Sequence, residues 1–254
     1  MEIIVNAMVL KSVDYKDNDK ILTLYSLEKG KITAGIKGVK KSGAKLKFAS
    51  EPFALCEFVL NEKMGRYTVI GATYIDSFFN LRLNLQKYYV SSVILETLNL
   101  LTGENEPDHD LFNLAVNAVK YVNYQDGELK TLNLFLFNLT SLLGYGIQTL
   151  NCNGCDCKID GRVFFSSRFA EFYCYSCRVD DAMEITLETY EALYKIFNKN
   201  VEDASKITLA PSSELKLLKF LTYYLQLKTE SNFRSVSSLI DFISWAIVCV
   251  WRTN

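Results

Sequence analysis

Near residue 79 the apolar pattern of this 254-residue chain changes period, and that switch limits the fold to two kinds of layer. Before it, short segments alternate. Met8, Leu10 and Ser12 alternate with Val9, Lys11 and Val13, and Ile21–Tyr25 follows an acidic turn at Asp14–Asp19. Ile32, Ala34 and Ile36 face one way, with Lys31, Thr33 and Lys37 facing the other. Phe53–Leu60 and Tyr67–Thr73 complete five strands, with glycines at 35, 38 and 71 where a sheet can bend and Gly30 at a tight turn. Five short strands in so small a span predict a closed barrel of the oligonucleotide-binding (OB) type.

Beyond Asn80 the spacing becomes helical, with Leu81, Leu85, Tyr88, Tyr89, Ser92, Leu95 and Leu98 on one stripe. Asp108 is positioned to cap a second helix to about Val122, and Gly127 precedes a third, Leu129–Leu143, ended by Gly144. Thr186–Phe197, Ser212–Lys228 and Ser235 to about Val250 continue the series, with Pro211-Ser212-Ser213-Glu214 as a helix start. The expected architecture is multidomain α+β. A five-stranded OB barrel (residues 1–79) precedes an all-α domain in two parts (80–149 and 181–254), with a cysteine-rich insert at 150–180.

Within that insert, Cys152-Asn-Gly-Cys155 and Cys174-Tyr-Ser-Cys177 make C-x2-C-x18-C-x2-C, the spacing of a four-thiolate zinc ribbon. Two thiolates three residues apart on a tight turn converge on one edge of a tetrahedron, and a hairpin through Arg162–Phe165 and Phe169–Tyr173 returns the second pair. One structural Zn2+ is expected, folding the module rather than catalysing. Cys157 competes as a ligand, which makes Cys155 the least secure of the four, while Cys56 and Cys249 sit in apolar runs and read as core.

With His109 the only imidazole, a Ser-His-Asp triad or a multi-His metal site has no material. The formal net charge of −1 confines any nucleic-acid face to a local patch. Such a patch exists: Lys29, Lys31, Lys37, Lys40, Lys41, Lys45 and Lys47 fall in a stretch without an acid. On an OB barrel they border the face that tracks single strands, with Arg66 as a weaker addition and Phe48, Tyr25 and Tyr67 as stacking surfaces. The apolar stretch Val236–Trp251 is too short to span a bilayer, and the opening Met1–Asn6 lacks a basic n-region, so a cytoplasmic protein without a membrane partner is expected.

The order Met8–Ser12, Asp19–Ser26, Lys29–Ile32 and Gly35–Lys41, followed by Leu142–Gly146 running into Cys152 and Cys155, resembles the bacterial recombination mediator RecO family over essentially the whole chain. The resemblance implies a non-catalytic, nucleoid-associated DNA-repair protein. It would bind single- and double-stranded DNA and anneal complementary strands. With RecR, it would help load recombinase onto DNA coated by single-stranded DNA-binding protein (SSB), whose C-terminal tail it would contact. Matching positions are the four cysteines for zinc, and Lys37, Lys40 and Lys41 for DNA. Three other readings compete: an OB-fold RNA-binding accessory factor of translation or ribosome assembly, a thiol oxidoreductase using one C-x-x-C pair, and a nuclease built on Asp17 with Asp19 or on Asp180-Asp181.

Overall fold

A computed structural model describes residues 1–252, and side chains as far as residue 245. Cys249, expected in the core, lies outside the described side chains. The chain forms two compact units, Met1–Asn123 and Tyr124–Asn254.

In the first unit, β1 (Glu2–Tyr15), β2 (Asp19–Ser26), β3 (Gly30–Ile36), β4 (Leu55–Lys63) and β5 (Arg66–Asp76) close a barrel in the order β1-β2-β3-β5-β4. The closing contact is parallel, β3 to β5, with Ala34 opposite Tyr67 and Ile36 opposite Val69. Alternation puts Val5, Ala7, Val9, Leu22, Leu24, Ile32, Ala34, Ile36, Phe58 and Leu60 inside. Bulges between Val9 and Lys11 and between Val59 and Leu60 bend the long strands enough to close the ring. This is the expected five-stranded OB barrel.

The segment from β3 to β4 seals the interior. Val39 and Ala49 are buried in the barrel core, with Leu46 and Phe48 packed against it. A 3-10 turn, Lys47–Ser50, carries the chain across. Lysines at 37, 40, 41, 45 and 47 alternate irregularly with these apolar anchors, so the anchors turn in and the lysines turn out.

Two helices cover one flank. α1 (Leu85–Leu101) starts at Asn84, whose side chain accepts from Gln86 N and Lys87 N. It begins later than the apolar stripe suggests because a 3-10 turn occupies Phe79–Arg82. α2 (His109–Tyr124) is capped as expected by Asp108, whose Oδ1 accepts from Leu111 N at 2.9 Å. Met8 and Tyr25, on the outer face of β1 and β2, are buried by this covering, and the Tyr25 ring stands 6.1 Å from that of Phe112.

The second unit carries α3 (Glu128–Leu142), α4 (Leu187–Ile196), α5 (Pro211–Thr229) and α6 (Arg234–Arg252), within about two residues of the predicted helices. Its cysteine module is a three-stranded sheet in which β6 (Val163–Ser166) lies between β7 (Glu171–Cys174) and β8 (Met183–Ile185). The third strand is unforeseen, since three residues carry no readable alternation. The module is not an appendage. Phe165 packs on Phe220 and Tyr224 of α5 at 5.0 and 5.2 Å, and Tyr190 of α4 donates to Leu150 O at 2.6 Å. Among the described residues no helix is long and apolar enough to cross a membrane.

Candidate metal centre and nucleic-acid interface

Cys152, Cys155, Cys174 and Cys177 bring their Sγ atoms within 4.8 Å of one another, the one potential metal-holding group among the described residues. Four thiolates about 2.3 Å from a central ion stand about 3.8 Å apart on a tetrahedron; the Cys155–Cys174 separation is 4.0 Å. The first knuckle is shaped for this. Gly154 lies so close to Cys177 that a Cβ there would meet its Cβ at 2.7 Å and its Sγ at 3.0 Å. A side chain at 154 would push the two pairs apart.

Electrostatics favour a cation at the centre. Burial raises the cost of ionising Cys152, but N–H groups of Cys174, Cys155 and Gly154 outweigh it and bring the thiol down to about 6. The neighbouring thiols push the other way on Cys177, to about 12. Four adjacent thiols cannot all ionise alone, and a bound cation removes that conflict. Cys157 lies 3.3 Å from Cys155 yet falls outside the four-sulfur group. The geometry places Cys155 among the four sulfurs that could hold a metal and Cys157 beside them. No βαβ unit, the setting of a thioredoxin-like pair, surrounds these thiols among the described residues.

The acidic pairs are occupied in the fold. Asp19 Oδ1 accepts from Gly38 N at 2.8 Å, fixing the loop after β3, and Asp181 Oδ2 accepts from Ser166 Oγ at 2.9 Å. Neither pair belongs to a metal-holding group among the described residues.

On the barrel flank away from α1 and α2, a groove of about 480 Å³ runs over β2, β3 and β5, between the β1–β2 turn and the β4–β5 hairpin. Its wall carries Lys16, Lys20, Lys37 and Arg66 beside the Asp19 carboxylate, with Tyr15 and Tyr67 between them, and Lys20 is paired with Glu51 at 3.3 Å. Gly35 lies in the lining, where a Cβ would meet nothing within 4 Å, so open strand backbone faces the groove. This is the face and loop pair by which OB barrels take single strands.

The predicted cations divide by environment. Lys37 and Arg66 border the groove, are exposed, and meet no carboxylate among the described residues. Lys41, Lys45 and Lys47 are exposed on the adjoining loop and 3-10 turn, outside the groove lining. Lys40 is held by Asp14, Nζ to Oδ2 at 2.6 Å, and that hydrogen bond lowers the Asp14 carboxyl below its usual range.

Lys31 departs from expectation. Its Nζ donates to Asn99 O at 2.9 Å and Thr102 O at 2.6 Å, 3.9 Å from Glu104, with only 12% of the side chain exposed. A cation there satisfies the orphan carbonyls at the end of α1. It therefore fastens β3 to the helix instead of facing solvent. Tyr25, 1% exposed, is no stacking surface either. Phe48 is half-buried with its ring 4.3 Å from Tyr74, and Tyr67 alone of the three borders the groove.

Sequence reasoning missed Lys16 and Tyr15. Both sit in an acid-rich turn where no run of like charge marks them, and the Lys16 Nζ lies 5.2 Å from the centre of the Tyr15 ring. Only their position between the first two barrel strands could have singled them out.

Comparison with known proteins covers both units. The family model described as "Recombination protein O N terminal" matches residues 1–78, and "Recombination protein O C terminal" matches residues 82–237. The chain is similar to the DNA repair protein RecO of Caldicellulosiruptor saccharolyticus, 26% identical over 239 residues, 94% of this chain and 96% of that one. The RecO of Pelotomaculum thermopropionicum is 29% identical over 239 residues, covering 93% of each. That of Clostridium perfringens is 26% identical over 217 residues, 85% of this chain and 88% of its own.

Proposed function

Because the chain belongs to the RecO family of DNA repair proteins, we propose that it is a non-catalytic recombination mediator that grips single-stranded DNA in the barrel groove and anneals it to its complement. The DNA-repair role follows from the family; the strand-handling is our reading. The observation that carries it is the groove itself, where Lys37 and Arg66 stand without carboxylate partners beside the open backbone of Gly35.

Ammonium and guanidinium groups on that wall hold phosphates and release counterions, which needs no base identity. Bases of a strand held this way stay free to find a partner. Annealing then requires no acid–base residue, in keeping with a single histidine in the chain. Lys41, Lys45 and Lys47 extend the positive field beyond the groove, Lys40 joins when Asp14 releases it, and Lys31 serves the fold. Double-stranded DNA is held by the same phosphate contacts.

The metal in this reading is one structural zinc ion, filled by Cys152, Cys155, Cys174 and Cys177 with no position left open. RecR and the SSB C-terminal tail are the proposed protein partners, with recombinase loading on SSB-coated strands as the outcome.

The test is a salt titration of single-stranded DNA binding. In the triple variant Lys37→Ala/Lys41→Ala/Arg66→Ala, the slope of log affinity against log salt should flatten by about two, at roughly 0.7 per lost contact. An unchanged slope, or preference for RNA over DNA oligomers in competition, would overturn the reading.

A further inference from the structure

The β4–β5 hairpin turns in two residues, Met64 and Gly65, with Lys63 paired to Arg66 across the closing position. Both turn residues have positive φ, 51° and 71°, as a primed hairpin turn requires. Asn or Asp before Gly is the favoured pair there, because an ordinary side chain resists the left-handed region. Methionine gains nothing from burial in exchange: Met64 is 92% exposed, more than any other described large apolar residue. Folding therefore gives no reason for a thioether at this tip.

Its neighbours suggest one. Lys63, Met64, Arg66 and Thr68 surround a recess of about 460 Å³ under the tip. Gly65, Arg66 and Thr68 also line the strand groove, so the recess opens at the groove's end. A flexible, polarizable apolar group between two cations meets the requirements of a base wedge: phosphates are held on either side while the thioether fills the gap left by an unstacked base.

The geometry points to Met64 as a base-contacting wedge at the groove mouth, by which the protein engages the junction between single- and double-stranded DNA. The inference deepens the proposed function and rests on the groove holding DNA. It assigns the hairpin a task that phosphate binding alone does not supply: separating the last stacked base from the strand entering the groove.

The experiment uses the full chain and three DNA probes: a single strand, a blunt duplex, and a fork with 2-aminopurine at the junction. The unsubstituted protein should prefer the fork and raise the 2-aminopurine fluorescence as the base unstacks. Met64→Asn installs the favoured turn pair, so thermal stability should hold or rise. Fork affinity should fall about two- to tenfold, the range a thioether–ring contact converts to. The fluorescence response should disappear while the salt slope stays as it was, since no charge has changed. Retained fork preference and fluorescence in Met64→Asn would overturn the wedge while leaving the groove reading intact. Failure of the unsubstituted protein to bind any probe would overturn both.

Discussion

Single residues decide which of the clustered lysines are available to a ligand. Lys31 and Lys37 lie on or next to one strand, six positions apart, yet one is anchored on the carbonyls closing α1 and the other is exposed at the groove. Lys40 is intermediate, since its partner Asp14 is itself exposed and the pair is worth little in water. Phosphate can therefore compete for it. Asp14→Asn should free the ammonium and strengthen single-strand binding about two- to threefold at low salt, with the gain vanishing at high salt. Equilibrium titrations at two ionic strengths check this, and equal affinity of both proteins at low salt would show that Lys40 takes no part.

At the scale of elements, α5 meets two carboxylates with opposite tendencies, Glu188 of α4 and its own Glu214, which faces Lys130 and Glu128 of α3. Glu188, in the first turn of α4, is brought down to about 2 by Lys216, Ser213 and Ser212 of α5. Burial instead raises Glu214, in the first turn of α5, to about 6. The Glu188 contribution is complete above the ordinary carboxylate value near 4.5 and is lost as pH falls toward 2. Glu214 acts the other way: its folded form retains a proton, so stability declines as pH rises from 4.5 through 6. Glu214→Gln should remove that decline and raise stability at pH 8 by on the order of 1 kcal/mol. Denaturant melts at pH 5 and pH 8 give the comparison; a variant with the same pH dependence as the parent would place the cause elsewhere.

Elements also show what could be read without coordinates. Strand alternation and the Asp108 and Gly127 signals located the barrel and the helices because each is a local consequence of periodicity or capping. The cysteine knuckles were legible for the same reason: their spacing is a local geometric demand. What escaped depends on tertiary neighbours. Lys31 looks like any other lysine until the end of α1 is placed beside it, and Tyr25 looks like a stacking surface until α2 covers it. β8 is only three residues long and exists because β6 offers it an edge.

On the whole-molecule scale, the metal module and the strand groove belong to different compact units. Tyr190 and Tyr224 reach from α4 and α5 to the segment before β6, at Leu150 and Tyr145, so loss of metal should unsettle the helices as well as the ribbon. If zinc fills the site as proposed, Cys155→Ser should lose it and lower the melting temperature of the second unit, whereas Cys157→Ser should retain about one ion per chain. Metal content by mass spectrometry together with calorimetry checks both. The reverse pattern would transfer the ligand role to Cys157. Groove affinity should be little altered in either variant, since no groove residue lies in that unit.

If the barrel grips a strand as proposed, the covering of one flank by α1 and α2 also limits its reach along that strand. With α1 and α2 over the opposite flank, contact in the proposed groove is confined to β2, β3 and β5 and their loops, which favours a short footprint within the roughly 4–16 nucleotides that OB folds occupy. A long strand would then accept many copies side by side, each occluding little of it, and most of its letters would stay legible to an incoming complement.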